Sequence, residues 1–194
     1  MFPFEDEQRR ERRRLIETID GLSDDEFTSG RTLCERWSPR DVLGHVIGVD
    51  AMSTYVRYGG RINVANNAMA REARELSRAQ MMDRAAEWAE RPALTSRLGA
   101  LLFLGDLGVH HQDILRGLGR PREVPEPVAR AILREGMQLS LWMNRRVLRH
   151  RLVLTDGDRT VGRGREVRGT REALGMWLSG RDSVADELEF AEAR

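Results

Sequence analysis

Four histidines (His45, His110, His111 and His150) and a single cysteine, Cys34, carry most of the chemistry open to this chain of 194 residues. His45 falls on the stripe Val42, His45, Val49 and Met52, so helical spacing turns its imidazole toward an interior, where a polar ring needs a partner. Asp106, His110 and Asp113 are spaced i, i+4 and i+7, and at roughly 100° per residue they lie within about 60° of one another. They share that face with Leu102, Phe103 and Val109. A carboxylate and an imidazole one turn apart can chelate one ion, and a third ligand from a facing helix would leave a coordination position open. His45, Asp106 and His110 fit that description. Nitrogen and oxygen donors without thiolate suit zinc, with nickel, iron and manganese also admitted by ligand type. The alternative is structural: His45 a core histidine bonded to a carbonyl, Asp106 and His110 an ordinary helical pair.

The other reactive side chains have simpler readings. His111 is rotated by about 100° from His110 and faces the opposite side with Leu104 and Leu107, as a core or rim residue. His150 ends a helix, where its protonated form is favourable. Cys34, between Leu33 and Trp37, reads as a small buried apolar residue rather than a nucleophile. Trp37 and Trp142 suit either a pocket wall or the core. Arg9 to Arg14 are interleaved with acids and lack a stacking platform, so they read as a solvated helix face and not a nucleic-acid site.

These residues must be held by helices. Leu15, Ile16, Ile19 and Leu22 predict an amphipathic helix over 5–22. A loop, 23–37, leads to Ser38 as N-cap with Pro39 and Asp41 behind it, opening a helix to about Tyr58 that Gly59 and Gly60 stop. Residues 62–88 predict one helix broken near Ser77 or two short ones. The segment 94–119, LTSRLGALLFLGDLGVHHQDILRGLG, is apolar on nearly every side and reads as the central helix. Pro127 opens a further helix to about Leu148, completing four or five long helices and an antiparallel bundle over 1–149. Beyond it, RLVLTD and RTVGRG flank the turn cluster Asp156, Gly157 and Asp158, which predicts a hairpin that EVRG extends. Thr170 caps a helix to Gly180, and Asp182 or Ser183 starts a last one. The segment 150–194 is too short to fold alone and should dock on the bundle.

Composition bounds the function classes. With 32 basic and 31 acidic residues the net charge is +1, so no overall field draws a nucleic-acid backbone or an anionic membrane. Apolar residues are 40% and charged residues 32%, as in a soluble globular protein rather than a disordered one. Every basic residue is arginine, which points to a GC-rich source rather than a mechanism. One cysteine excludes an internal disulfide, and neither a signal peptide nor a membrane span is visible; a cytoplasmic protein is expected.

Three strings in order add a resemblance. TLCERWSPRDVLGHVIG carries Cys34, Trp37 and His45, GDLGVHHQDILRGLGRPREVPEP carries Asp106, His110 and Asp113, and RLVLTDGDRTVGRGREVRGTREALGMWLSGR closes the chain. Together they resemble the mycothiol-dependent maleylpyruvate isomerase family of actinobacteria, over nearly the whole length. The resemblance implies a mainly α fold, a DinB-like antiparallel four-helix bundle with a small C-terminal β-hairpin and helix. It further implies His45, His110 and Asp106 as metal ligands, where characterised members carry glutamate at the position of Asp106. Asp113 matches the family's Asp-Ile position and reads as an acceptor behind a ligand, or an arginine's partner. The implied co-substrate is mycothiol, whose thiolate adds to a double bond of a small electrophile and is expelled after rotation. Arg168, in the EVRG segment, is the candidate for holding a substrate carboxylate or the cofactor's polar groups, against a surface salt bridge. The expected partners are therefore a small thiol and a small electrophile, with neither nucleic acid nor membrane. A homodimer is left open. The competing reading is a metal-binding or structural bundle without turnover, serving as a ligand sensor.

Overall fold

Three capping boxes set where helices start. Ser23, Ser38 and Ser77 each accept a hydrogen bond from the backbone three residues on, and Glu26, Asp41 and Gln80 reach back in return. The computed structural model describes residues 4–50, 52–91, 94–120 and 122–191. Ala51, inside the helix expected over 38–58, lies outside them.

The contacts divide the chain into two compact units, Met1–Arg122 and Glu123–Arg194. The first holds α1 (Glu5–Asp20), α2 (Asp24–Ser29), α3 (Pro39–Val49), α4 (Met52–Arg57), α5 (Ile62–Arg74), α6 (Arg78–Glu90), α7 (Leu94–Leu98) and α8 (Ala100–Gly117). Helix α2 occupies part of the expected loop 23–37. The helix expected over 38–58 is described as two segments, α3 and α4, and the Asp50 side chain after α3 turns inward to a buried arginine. Helix α1 packs on α6 and α8, and α3 on α5, α6 and α8, around a core including Leu15, Ile19, Val42, Leu43, Met81 and Ile114. Close approach of α3 and α5 requires Gly44, where an added Cβ would lie 2.4 Å from that of Ala73.

The face of α1 expected to be solvated is partly interior. Arg12 is 1% exposed and Glu11 fully buried. The Arg12 Nη2 donates to Asp50 Oδ2 and Ser96 Oγ at 2.5 Å each, its Nη1 donates to the Trp88 carbonyl at 2.8 Å, and Trp88 Nε1 donates to the same Asp50 oxygen at 2.6 Å. Burial pushes the Asp50 carboxyl above the ordinary carboxylate range despite the Arg12 charge. A helical pattern that counts apolar residues alone does not register such a pair.

The second unit contains α9 (Glu126–Met143), α10 (Arg146–Arg149), β1 (His150–Leu154), β2 (Thr160–Gly162), β3 (Arg165–Gly169), α11 (Arg171–Leu178), a 3-10 turn over Asp182–Glu187 and β4 (Glu189–Phe190). The sheet runs β2-β1-β3-β4, with β2 antiparallel to β1 as the expected hairpin and β3 parallel to β1 on its other side. EVRG thus joins the sheet across β1 rather than lengthening the hairpin. The chain crosses at Gly162 and Gly164, both at positive φ, and a Cβ on Gly164 would lie 2.2 Å from the Arg149 carbonyl oxygen. Helix α11 lies against α9 at a pair of glycines, where a Cβ on Gly136 would meet the Gly175 carbonyl oxygen at 2.2 Å. The contacts divide between Arg122 and Glu123 and so group α9, on which α11 packs, with the C-terminal elements. The fold is mainly helical with a small C-terminal mixed sheet and helix.

Candidate metal centre

Helix α8 presents Asp106, His110 and Asp113 on one face, and α3 carries His45 as the spacing requires. One donor atom from each of His45, Asp106 and His110 lies within 4.8 Å of the others. The imidazoles of His45 and His110 meet edge to face with centroids 4.7 Å apart, and His110 Nε2 is 3.6 Å from Asp106 Oδ1. Donors about 2.0–2.1 Å from a tetrahedral ion are roughly 3.3 Å apart, so small side-chain movements would close the set on one cation. The aspartate reaches this cluster despite being one methylene shorter than glutamate. His45 and His110 are buried, whereas the Asp106 side chain is 29% exposed and marks the solvent side.

Behind His110 a second group fixes the ring. His110 Nδ1 is 3.0 Å from Asp113 Oδ2, which also accepts from Cys34 Sγ at 3.1 Å. Asp113 is fully buried, and its carbonyl accepts from Leu33 N at 3.0 Å, tying the loop before α3 to α8. A carboxylate on Nδ1 makes that nitrogen the donor and leaves Nε2 to face Asp106 and His45. Burial works against a charged His110, but the Asp106 charge and the contacts with Asp113 and Cys34 outweigh it and raise its pKa well above the ordinary imidazole value.

Cys34, His110 and Asp113 also lie close enough to be read as a ligand set. Hydrogen bonds already join that trio, while the contact from Asp106 to His110 is longer than a hydrogen bond, so the set containing His45 has the room for an ion. Cys34 is more than the apolar filler expected of it, because its thiol supports Asp113 while it packs at the core margin. Trp37 covers the site, its ring 4.9 Å from that of His45 and 6.2 Å from that of His110. On the outside it borders a polar cleft of about 740 Å³ shared with Arg36, Arg40, Asp41 and Arg74.

Tyr55 on α4 had no signal in the spacing. Burial, reinforced by the Asp106 charge, pushes its phenol up to about 12, so the hydroxyl stays protonated and donates to Asn66 Oδ1 at 3.0 Å. His111 is fully buried in α8's contact with α1. Its Nδ1 donates to Glu11 at 2.8 Å and its Nε2 accepts from Thr18 Oγ1 at 2.9 Å, with burial holding the ring below the ordinary imidazole range. Arg168 lies on β3 of the second unit, half exposed, paired with Glu166 at 3.3 Å and near Glu189 at 3.6 Å. His150 accepts its expected place at a helix end, Nδ1 donating to the Arg146 carbonyl at 2.9 Å. Trp142, offered as a pocket or core residue, is 87% exposed and forms neither. Among the described residues no helix is long and apolar enough to cross a membrane. Compared with protein-family models, curated proteins and solved structures, the chain matches none.

Proposed function

We propose that His45, Asp106 and His110 bind one divalent cation, zinc by donor type, and that the protein is a metal-dependent enzyme using a low-molecular-weight thiol such as mycothiol on a small electrophile, by isomerisation or transfer. The observation that carries this reading is the convergence of the three donor atoms within 4.8 Å, from α3 and α8, with Asp113 behind His110. The resemblance to the DinB-like maleylpyruvate isomerase bundles supports it. Such a cation, when bound, lowers the pKa of a coordinated thiol into the range where the nucleophilic thiolate exists at neutral pH.

The chain's own residues would do the rest. Asp113 keeps the Nδ1 proton on His110 and so keeps Nε2 directed at the site. Trp37 excludes water from the imidazole side. Arg36 and Arg40 offer charge to an anionic substrate in the cleft beyond Trp37, a role for which Arg168 was the candidate. Arg74 is already engaged, its Nε and Nη2 each donating to Asp41 at 2.8 Å.

Elemental analysis of protein purified without chelator should find about one transition metal per chain. His45→Ala and His110→Ala should lose the metal and thiol-dependent turnover together. Metal retained in both variants refutes the site, and metal bound without thiol-dependent chemistry leaves the non-catalytic bundle as the function.

A further inference from the structure

Trp37 borders two open clefts of the first unit, the polar one of about 740 Å³ already described and a neighbour of about 350 Å³. Both volumes fall within the roughly 300–1,000 Å³ typical of small-molecule sites. Arg36 and Arg74 line both clefts with Trp37, while Arg31 and Arg40 line the larger and Arg71 the smaller.

The charges in these clefts do not cancel. Arg74 is matched by Asp41, which accepts from its Nε and Nη2 at 2.8 Å each. Among the described residues, the guanidinium groups of Arg31, Arg36, Arg40 and Arg71 have neither a hydrogen-bond nor an ion-pair partner, and the one other acid lining the clefts, Glu35, is unpaired too. Exposed arginines elsewhere in this unit do find acids: Arg10 pairs with Glu7, Arg13 with Glu90 and Arg120 with Glu26. Arg31, Arg36 and Arg71 are exposed and Arg40 is half-buried, so the charge is open to a solute. Four arginines against one glutamate leave three positive charges around Trp37.

We infer that the two clefts bind the diphosphate group of a small molecule, held by Arg36 together with Arg31, Arg40 and Arg71. A terminal phosphoryl group carries about −1.5 to −2 charges near neutral pH, so two linked phosphoryl groups match the charge of the clefts, whereas a single carboxylate leaves most of it uncompensated. Phosphoryl oxygens also point out of one plane, which suits guanidinium groups carried separately by α3, α5 and the loop before α3. Diphosphate binding needs no cation at the metal centre and shares with the proposed reaction only the placing of an anion beside Arg36 and Arg40.

Calorimetric titration of the full chain with inorganic pyrophosphate, at about 0.15 M ionic strength so that diffuse attraction is screened, tests it, with inorganic phosphate and citrate as comparison probes. Pyrophosphate should saturate one site per chain. Phosphate, which has less charge, and citrate, which has planar carboxylates, should each bind about tenfold more weakly or worse. Arg36→Gln and Arg71→Gln should each weaken pyrophosphate binding about fivefold or more, because each removes a charged hydrogen bond, and both positions are exposed, so folding is not at stake. Arg10→Gln, on α1 and outside the clefts, should bind as the wild type does, as should His110→Ala. The inference is overturned if pyrophosphate fills several weak sites or none, which marks an adventitious ion only, if citrate matches it, or if either Arg36→Gln or Arg71→Gln binds normally. Loss of binding in Arg10→Gln or in His110→Ala overturns it as well, the second by placing the anion at the metal centre.

Discussion

Replacing Asp113 by asparagine isolates what the buried carboxylate does for the metal centre. The substitution preserves shape, and the amide oxygen can still accept both hydrogen bonds that Asp113 Oδ2 now takes, from His110 Nδ1 at 3.0 Å and Cys34 at 3.1 Å. The negative charge that makes the far nitrogen of His110 a better donor is lost, and the amide can rotate to offer hydrogens to Nδ1. That would turn the imidazole to the wrong tautomer. Removing a carboxylate behind a ligating histidine costs about 10–100-fold in metal affinity, or about 1.4–2.7 kcal/mol. The burial of Asp113 places this case toward the upper end, because no water replaces the missing charge. Competition between the protein and a chromophoric chelator for zinc, at one fixed pH, reads the change directly. Zinc affinity equal to wild type in Asp113→Asn, beside its loss in His110→Ala, would refute the idea that Asp113 orients the ligand.

Three further outcomes follow from the same geometry. Asp106→Asn should weaken zinc binding at least tenfold while Asp106→Glu preserves it in the same competition assay; unchanged binding in the asparagine variant would remove Asp106 from the ligand set. Arg12→Met strands the Asp50 carboxylate in the interior and should cost about 3 kcal/mol in urea unfolding, of which Arg12→Met with Asp50→Asn recovers a large part; a loss below about 1 kcal/mol would show that the pair relaxes to water. Burial raises the Glu11 pKa, but the His111 hydrogen bond and charge and those of Arg122 outweigh it and hold the group below its ordinary value of 4.5. Its stabilisation is therefore present above pH 4.5 and lost as pH falls through the lower folded-state value. Glu11→Gln should cost about 3 kcal/mol at pH 7 and flatten the fall in melting temperature below pH 4.5, and an unchanged acid limb would sink that assignment.

The helix starts were legible in part because a capping serine and its acceptor are local: Ser38 with Asp41 is read directly, whereas Ser77 with Gln80 and Ser23 with Glu26 carry the same signal at an expected break and in an expected loop. The facing of Asp106 and His110 was legible because it depends only on helical pitch. What stayed hidden depends on partners far along the chain. The pairing of Asp50 with Arg12, 38 residues away, is one such contact. The allegiance of α9 to the C-terminal elements rests on Gly136 and Gly175, whose fit is visible only once both backbones are placed. The parallel pairing of β3 with β1 depends on a crossing at Gly162 and Gly164, and no alternation of residue types within EVRG encodes which edge it takes. Cys34 joined the site through Asp113, 79 residues on, which no neighbour in sequence announced.

Adjacent histidines on α8 explain how the site can be held without any ligand in place. His110 and His111 leave the helix about 100° apart, and each is pinned by a different part of the fold. His111 is fixed to α1 through Glu11 and Thr18, and His110 to Asp113 and through it to the loop before α3. A helix fastened at two azimuths cannot rotate about its axis without breaking one set of buried hydrogen bonds. Arg122 and Arg14, both paired with Glu11, close the first fastening with charge. Buried polar groups of this kind add little net stability against apolar residues of similar shape, and their cost is consistent with a different role, that of setting the azimuth of α8. A slip of one residue would place His111 toward α3 and Gln112 opposite Glu11. The charged interior between α1 and α8 thereby specifies which histidine faces His45, and the geometry of the candidate metal centre is inherited from a contact on the far side of the helix.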